Sequence, residues 1–187
     1  MRLAIATCAA LPQLDDDGPA LLAALAARGV VAEPAVWTDA AVEWGRFDAV
    51  VIRSTWDYAP RRDAFVAWAE RVEAETRLVN PASVVRWNTD KRYLAQLAAA
   101  GAPTVPLTVV ESLDALRLPS DGEFVIKPTI SAGSLDTARF GPGEHDGARL
   151  SPAEATDLMR KQAPVIAASL SANCPGAVIP ARLATLQ

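Results

Sequence analysis

Apolar positions near the N-terminus fall into short continuous runs, separated by a segment spaced at 3.6 residues. Leu3 to Thr7 is one such run and predicts a short buried strand. An acidic turn follows, Asp15, Asp16, Asp17 and Gly18, and Pro19 opens a helix with Leu21, Leu22 and Leu25 on one face. The three aspartates are expected to cap that helix, because carboxylates complement its positive end. Gly29 is placed to terminate it. Val30 to Val36 predicts a second strand. Ala49 to Ile52 predicts a third, apolar throughout, as in a strand covered on both faces. Arg61 to Thr76 sets Phe65, Trp68, Ala69 and Val72 at helical spacing, and Leu78 with Val79 predicts a fourth strand. Alternation of this kind predicts an α/β fold with a parallel sheet and right-handed crossovers.

The pattern changes after Asn80-Pro81. Trp87-Asn88-Thr89-Asp90 predicts a loop ending in a helix N-cap. The helix carries Leu94, Leu97 and Ala98, and stops at Gly101 with Pro103 beyond. Pro106 to Val110 and Glu123 to Pro128 predict strands, with a short helix at Ser112 to Leu116 between them. Thr137 to Phe140 predicts a hairpin partner for the Phe124 strand around a turn at Ser131 to Asp136. Ser151-Pro152-Ala153-Glu154 is a capping-box pattern and predicts a helix to about Gln162. Residues 163–187 differ: they hold one charged side chain, Arg182, are interrupted by Pro164, Pro175 and Pro180, and show no clean period. These shifts predict a domain at 1–85, a second at 86–165 and an atypical tail at 166–187.

Composition narrows the function classes. The chain has 187 residues, 51% of them apolar, enough for a packed core. A net charge of -4 argues against a nucleic-acid or anionic-membrane surface. No apolar run approaches the roughly 20 residues that span a bilayer, and Leu3 to Ala10 is too short for a signal peptide. Cys8 and Cys174 are few and far apart, which fits thiols in a reducing cytoplasm, and Cys8 is expected to be buried and inert. With His145 as the only histidine, a His-rich metal site is excluded.

Two lysines carry the candidate chemistry. Lys91 is expected in the first turn of a helix. Lys127 ends an otherwise apolar strand, Phe124-Val125-Ile126-Lys127-Pro128. A lysine there is costly to desolvate unless an anion meets it, although such a side chain also commonly reaches solvent along its own stem. The small-residue segment Ser131-Ala132-Gly133-Ser134 follows. It lets backbone N–H groups approach phosphate oxygens, or simply makes a hairpin turn. Arg53-Ser54-Thr55-Trp56-Asp57-Tyr58 follows the third strand. In open parallel sheets that is the ligand-binding edge, so Arg53, Ser54, Thr55, Trp56 and Asp57 are candidate substrate contacts.

In order along the chain stand Arg53 to Tyr58, Val79-Asn80-Pro81, Arg86 to Leu94, Val125 to Pro128 and Ser131-Ala132-Gly133. The series resembles ATP-grasp ligases similar to the cyclo-ligases of cycloserine biosynthesis and, more distantly, glutathione synthetases; it covers about residues 1–165. The resemblance implies a Rossmann-like pre-ATP-grasp substrate domain, then the N-terminal α+β subdomain of the nucleotide clamp, truncated. It implies ATP and a small carboxylate as ligands. Lys91 and Lys127 would meet the nucleotide phosphates, and Ser131, Ala132, Gly133 and Ser134 would form the mobile loop over them. The carboxylate would become an acyl phosphate that an amine attacks, with Mg²⁺ screening the transferring group. The Mg²⁺ ligands of the resembled family lie beyond the matched residues, so weak or absent turnover is expected. Ala163 to Ile166 resembles the start of the hinge strand, and the likeness ends near Ala167. That predicts a frameshifted or truncated product. Half of a clamp exposes apolar surface, which favours association, homo-oligomers included. A non-catalytic module binding a small molecule or partner is the alternative.

Overall fold

The computed structural model describes residues 1–111, 124–134, 136–140 and 165–169. The helices expected at Ser112 to Leu116 and Ser151 to Gln162 lie outside them. The described chain divides into two compact units: Met1–Asp90 with Ile130–Gly133, and Lys91–Thr129 with the residues from Ser134 on.

In the first unit, four strands form a parallel sheet: β1 (Arg2–Thr7), β2 (Val31–Val36), β3 (Ala49–Ser54) and β4 (Arg77–Val79), in the order β2-β1-β3-β4. Because β1 and β3 are central, their apolar runs are covered from both sides, as the unbroken sequence pattern requires. Helix α1 (Gly18–Ala26) covers one face, where Leu21, Leu22 and Leu25 pack on Leu3, Ile5 and Ala49. Gly29 ends this segment in a left-handed conformation, φ 74°, which glycine adopts without a Cβ penalty. Helix α2 (Arg62–Glu75) covers the other face and buries Phe65, Val66, Trp68, Ala69 and Val72 against Ala4, Ala6 and Val50. Trp68 is the centre of that layer: its ring stacks on Phe65 at 5.2 Å and meets Trp44 edge-on at 5.2 Å.

The turn between β1 and α1 is tightly built. Leu14 is buried with φ 71°, an uncommon conformation for a branched side chain. A Cβ on Gly18 would lie 2.6 Å from the Leu14 Cβ. Gly18→Ala must therefore push the turn apart, and a loss of about 1–3 kcal/mol is expected in urea unfolding. A variant at wild-type stability would show that the turn relaxes freely.

Helix α3 (Ala82–Asn88) is a correction to the sequence reading, which placed Trp87 and Asn88 in a loop. The chain turns helical at once after Pro81, whose fixed φ suits a helix start. Thr89 ends it, its hydroxyl donating to the Val85 carbonyl at 2.7 Å.

The second unit holds α4 (Tyr93–Ala99) and an antiparallel sheet of β5 (Leu107–Val110), β6 (Phe124–Pro128), β7 (Ala138–Phe140) and β8 (Val165–Ser169). Its order is β5-β8-β6-β7. The expected hairpin forms: Phe124 pairs with Phe140 and Ile126 with Ala138. Gly101 is left-handed after α4, φ 83°, as its terminating position requires. Strand β8 extends to Ser169, past the point where the sequence loses its periodicity. Both its edges are hydrogen-bonded, one to β5 and one to β6, so backbone pairing supplies what the side-chain pattern does not announce.

Candidate functional site

The strand order reverses between β1 and β3, since β1 connects outward to β2 and β3 connects the opposite way to β4. Such a reversal opens a crevice at the carboxyl ends of the two strands. Residues Arg53 to Tyr58 emerge there. The register of β3 on β1 slips: Ala6 pairs with Ile52 but Thr7 pairs with Ser54, so Arg53 has no partner on β1. This bulge re-aims both side chains. Ser54 is fully buried and donates from Oγ to Asp15 Oδ2 at 3.1 Å, while Arg53 stays exposed. The Arg53 guanidinium reaches Asp15 at 3.4 Å and Asp17 at 3.6 Å.

Asp15 therefore does not cap α1, as the sequence had suggested, but closes the switch-point edge from the β1 side. Asp17 occupies the capping position, yet its side chain makes no capping hydrogen bond. The left-handed turn at Leu14 aims Asp15 at β3, 39 residues away, and no local sequence signal announces that contact.

Of the remaining candidates in this segment, Trp56 is 58% exposed and Thr55 is buried. Asp57 has both oxygens engaged. Oδ1 accepts from the Trp37 indole N–H at 2.7 Å, and Oδ2 pairs with Arg61. The Arg61 guanidinium also lies 5.0 Å from the Trp37 ring centroid. Asp57→Ala strands the buried Trp37 donor, so a loss of about 2 kcal/mol is expected in chemical denaturation, with Asp57→Asn costing less than about 1 kcal/mol. Equal, negligible losses in both variants would show that Asp57 holds no structure. Tyr58 points its hydroxyl at the Ser131 carbonyl, 3.4 Å away. Cys8 is buried at the end of β1, its N–H bonded to the Ser54 carbonyl at 3.1 Å.

Both candidate lysines lie in the second unit. Lys127 is the fourth residue of β6 and half-buried, between the buried Ile126 and Pro128. Lys91 precedes α4 rather than sitting in its first turn, because the helix starts at Tyr93 with Arg92 at the cap. Its backbone N–H donates to the Thr129 carbonyl at 2.7 Å, two residues beyond Lys127. The chain entering α4 is thus tied to the end of the strand that carries the second lysine. The segment after β6 turns sharply: Gly133 and Ser134 both have φ 60° and Asp136 has φ 55°. Among the described residues no group of three or more His, Cys, Asp or Glu side chains is placed to hold a metal ion. Nor, among them, is any helix long and apolar enough to cross a membrane.

Of the hollows in the first unit, two adjoin its aromatic layer or its switch-point edge. One, of about 620 Å³, runs beside α2 and is lined by Trp37, Trp44, Trp68, Arg61 and Arg71 among others, with none of the sequence-derived candidates. The other, of about 200 Å³, includes Thr55, Tyr58, Asn80 and Asn88. Asn80 escaped the sequence reading as a candidate. Its left-handed backbone, φ 68°, is visible only in three dimensions.

A parallel sheet with this switch point is followed along the chain by a lysine-bearing antiparallel sheet, and the N-terminal parts of known ATP-grasp ligases have the same fold. Residues 3–80 match the family of the D-cycloserine synthetase DcsG N-terminal domain. Over 147 residues the chain is 46% identical to the cycloserine biosynthesis protein DcsG of Streptomyces lavendulae, a stretch covering 74% of this chain and 49% of that protein. The crystal structure of D-cycloserine synthetase DcsG superimposes with a TM-score of 0.77 at 39% identity, over 90% of this chain and 59% of that one. A more distant fold neighbour is the ATP-grasp ligase PsnB, solved with a phosphomimetic variant of its minimal precursor, Mg and ADP. Its TM-score is 0.55 at 19% identity, over 90% of this chain and 64% of that one. The chain spans about half the length of the curated relative it matches.

Proposed function

We propose that these residues are the acceptor-binding and phosphate-binding part of an ATP-dependent carboxylate–amine ligase. The observation that carries the reading is the tie between Lys91 and the end of the Lys127 strand, in a chain 46% identical to a cycloserine biosynthesis protein. That bond brings the main chain at Lys91 to the end of the strand carrying Lys127, and two compact cations so placed would suit the phosphates of a nucleotide. Ser131, Ala132, Gly133 and Ser134 follow β6, and we assign their backbone N–H groups to the same phosphates. Arg53 and Trp56 would meet the carboxylate acceptor from the switch-point edge, backed by the buried Ser54 and Thr55, with Asp57 fixing the segment through Trp37 and Arg61. In the reaction proposed for the whole ligase, a carboxylate oxygen attacks the γ-phosphorus of ATP and ADP leaves. The amine then attacks the acyl phosphate and inorganic phosphate leaves. Mg²⁺ would neutralise the charge on the transferring group. The residues present supply cations and hydrogen-bond donors, and their share of the work is binding and orientation.

A thermal melt with and without nucleotide tests this. MgATP and MgADP at about 100 times their Kd add about 2.7 kcal/mol to the folded state. A saturable rise of several degrees in Tm is expected, with adenosine much weaker. An unchanged Tm up to saturating nucleotide contradicts the reading.

A further inference from the structure

The turn that follows β3 is locked through its backbone. The Tyr58 N–H donates to the Thr55 carbonyl at 3.1 Å, and the Arg61 N–H donates to the Tyr58 carbonyl at 2.9 Å. The Tyr58 ring lies 5.4 Å from the ring of Phe65, which is buried in the layer that α2 forms on the sheet. Backbone and ring together fix where the phenol ends. It ends at the Ser131 carbonyl, 3.4 Å from the hydroxyl and 73 residues away along the chain. A hydrogen bond of that length adds little stability. What it sets is a direction, because Ser131 is buried in the same compact unit as Tyr58 and its carbonyl faces the phenol.

That direction decides what the next residue presents. A peptide unit is planar and trans, so its C=O and N–H point opposite ways. A Ser131 carbonyl held toward Tyr58 therefore turns the Ala132 N–H away from Tyr58. Ala132 is half-buried, and neither its N–H nor that of Gly133 has a hydrogen-bond partner among the described residues. Gly133 has φ 60°, and left-handed residues in turns of this kind bring successive N–H groups into a concavity for an anion. The phenol supplies the one donor that the carbonyl needs. A phenylalanine at position 58 would keep the ring contact and release the peptide plane.

We infer that Tyr58 is a positioning residue: its hydroxyl sets the Ser131–Ala132 peptide so that the Ala132 N–H is presented to a phosphate of the nucleotide. The inference rests on the ligase reading for the word nucleotide. It gives the segment after β3 a second task beside the acceptor, that of orienting the phosphate-binding backbone.

MgADP is titrated into the ¹⁵N-labelled 187-residue chain and into its Tyr58→Phe variant, and the backbone amide resonances of Lys91, Lys127 and Ala132 are followed. In the wild-type chain all three are expected to move along one saturable curve. Tyr58→Phe should keep the melting temperature of the nucleotide-free chain and weaken MgADP by about five- to tenfold. It should also shrink the Ala132 movement at saturation while Lys91 and Lys127 still respond. A variant that melts well below wild type, or one with an intact Ala132 response at saturation, would show a structural role and overturn the inference. So would undiminished MgADP affinity in the variant, or an Ala132 amide that stays still in the wild-type chain while Lys91 and Lys127 move. Each of those outcomes leaves the ligase reading standing. Silence at Lys91 and Lys127 in the wild-type chain removes the ligase reading, and the inference with it.

Discussion

Trp68→Ala is expected to cost the first unit about 3–5 kcal/mol, the range for emptying a large buried aromatic site. Trp68 is 1% exposed and touches three other aromatic rings, Trp37, Trp44 and Phe65. Those rings cannot all move inward, because Trp37 is held through its indole by Asp57 and Phe65 by the α2 backbone. A cavity therefore persists, and such a loss is a large part of the 5–15 kcal/mol that a domain has. The loss should reach the switch-point edge, since Trp37 leans on Trp68 and fixes Asp57. Trp68→Phe should cost less than half as much. The Trp68 indole N–H is buried with no partner among the described residues, so the change removes volume and no hydrogen bond. Urea unfolding followed by far-UV circular dichroism measures both. A Trp68→Ala chain within about 1 kcal/mol of wild type would show that the aromatic layer repacks.

The central strands β1 and β3 were legible because each is long enough, and apolar enough, to announce itself alone, whereas β4 has only three residues. Ala49 to Ile52 needs no partner to read as buried, and Gly29 and Gly101 stand where helices must stop. Helix α3 was not legible: it has seven residues, fewer than two full helical periods of pattern, and it exposes Val84 and Trp87. Only the start of strand β8, Val165-Ile166, was legible; its continuation to Ser169 is paired with neighbours on both edges. In the site, the identity of the β3 edge followed from a general rule about parallel sheets. Its wiring did not. The Asp15–Ser54 contact depends on a strained turn at Leu14 and on a bulge at Arg53, and neither leaves a period in the sequence. The lysines were picked out by their odd settings, whereas the bond between Lys91 N–H and the Thr129 carbonyl is tertiary.

The second large effect concerns those lysines. A charged hydrogen bond to a phosphate contributes about 1.5–3 kcal/mol, so removing either ammonium should weaken nucleotide binding by about 10- to 100-fold. The backbone tie at Thr129 survives both substitutions, since it uses the Lys91 main-chain N–H and the Thr129 carbonyl. Lys91→Ala and Lys127→Ala should therefore stay folded, with melting temperatures near wild type in the absence of nucleotide. If both cations serve one phosphate chain, the double variant should lose more than either single one, with a coupling between them. Isothermal titration of MgADP into the wild-type chain, the two single variants and the double variant measures this most directly. The account predicts a loss of at least about tenfold in each single variant and a larger one in the double variant. MgADP binding of wild-type strength in a folded Lys91→Ala, Lys127→Ala double variant would contradict it.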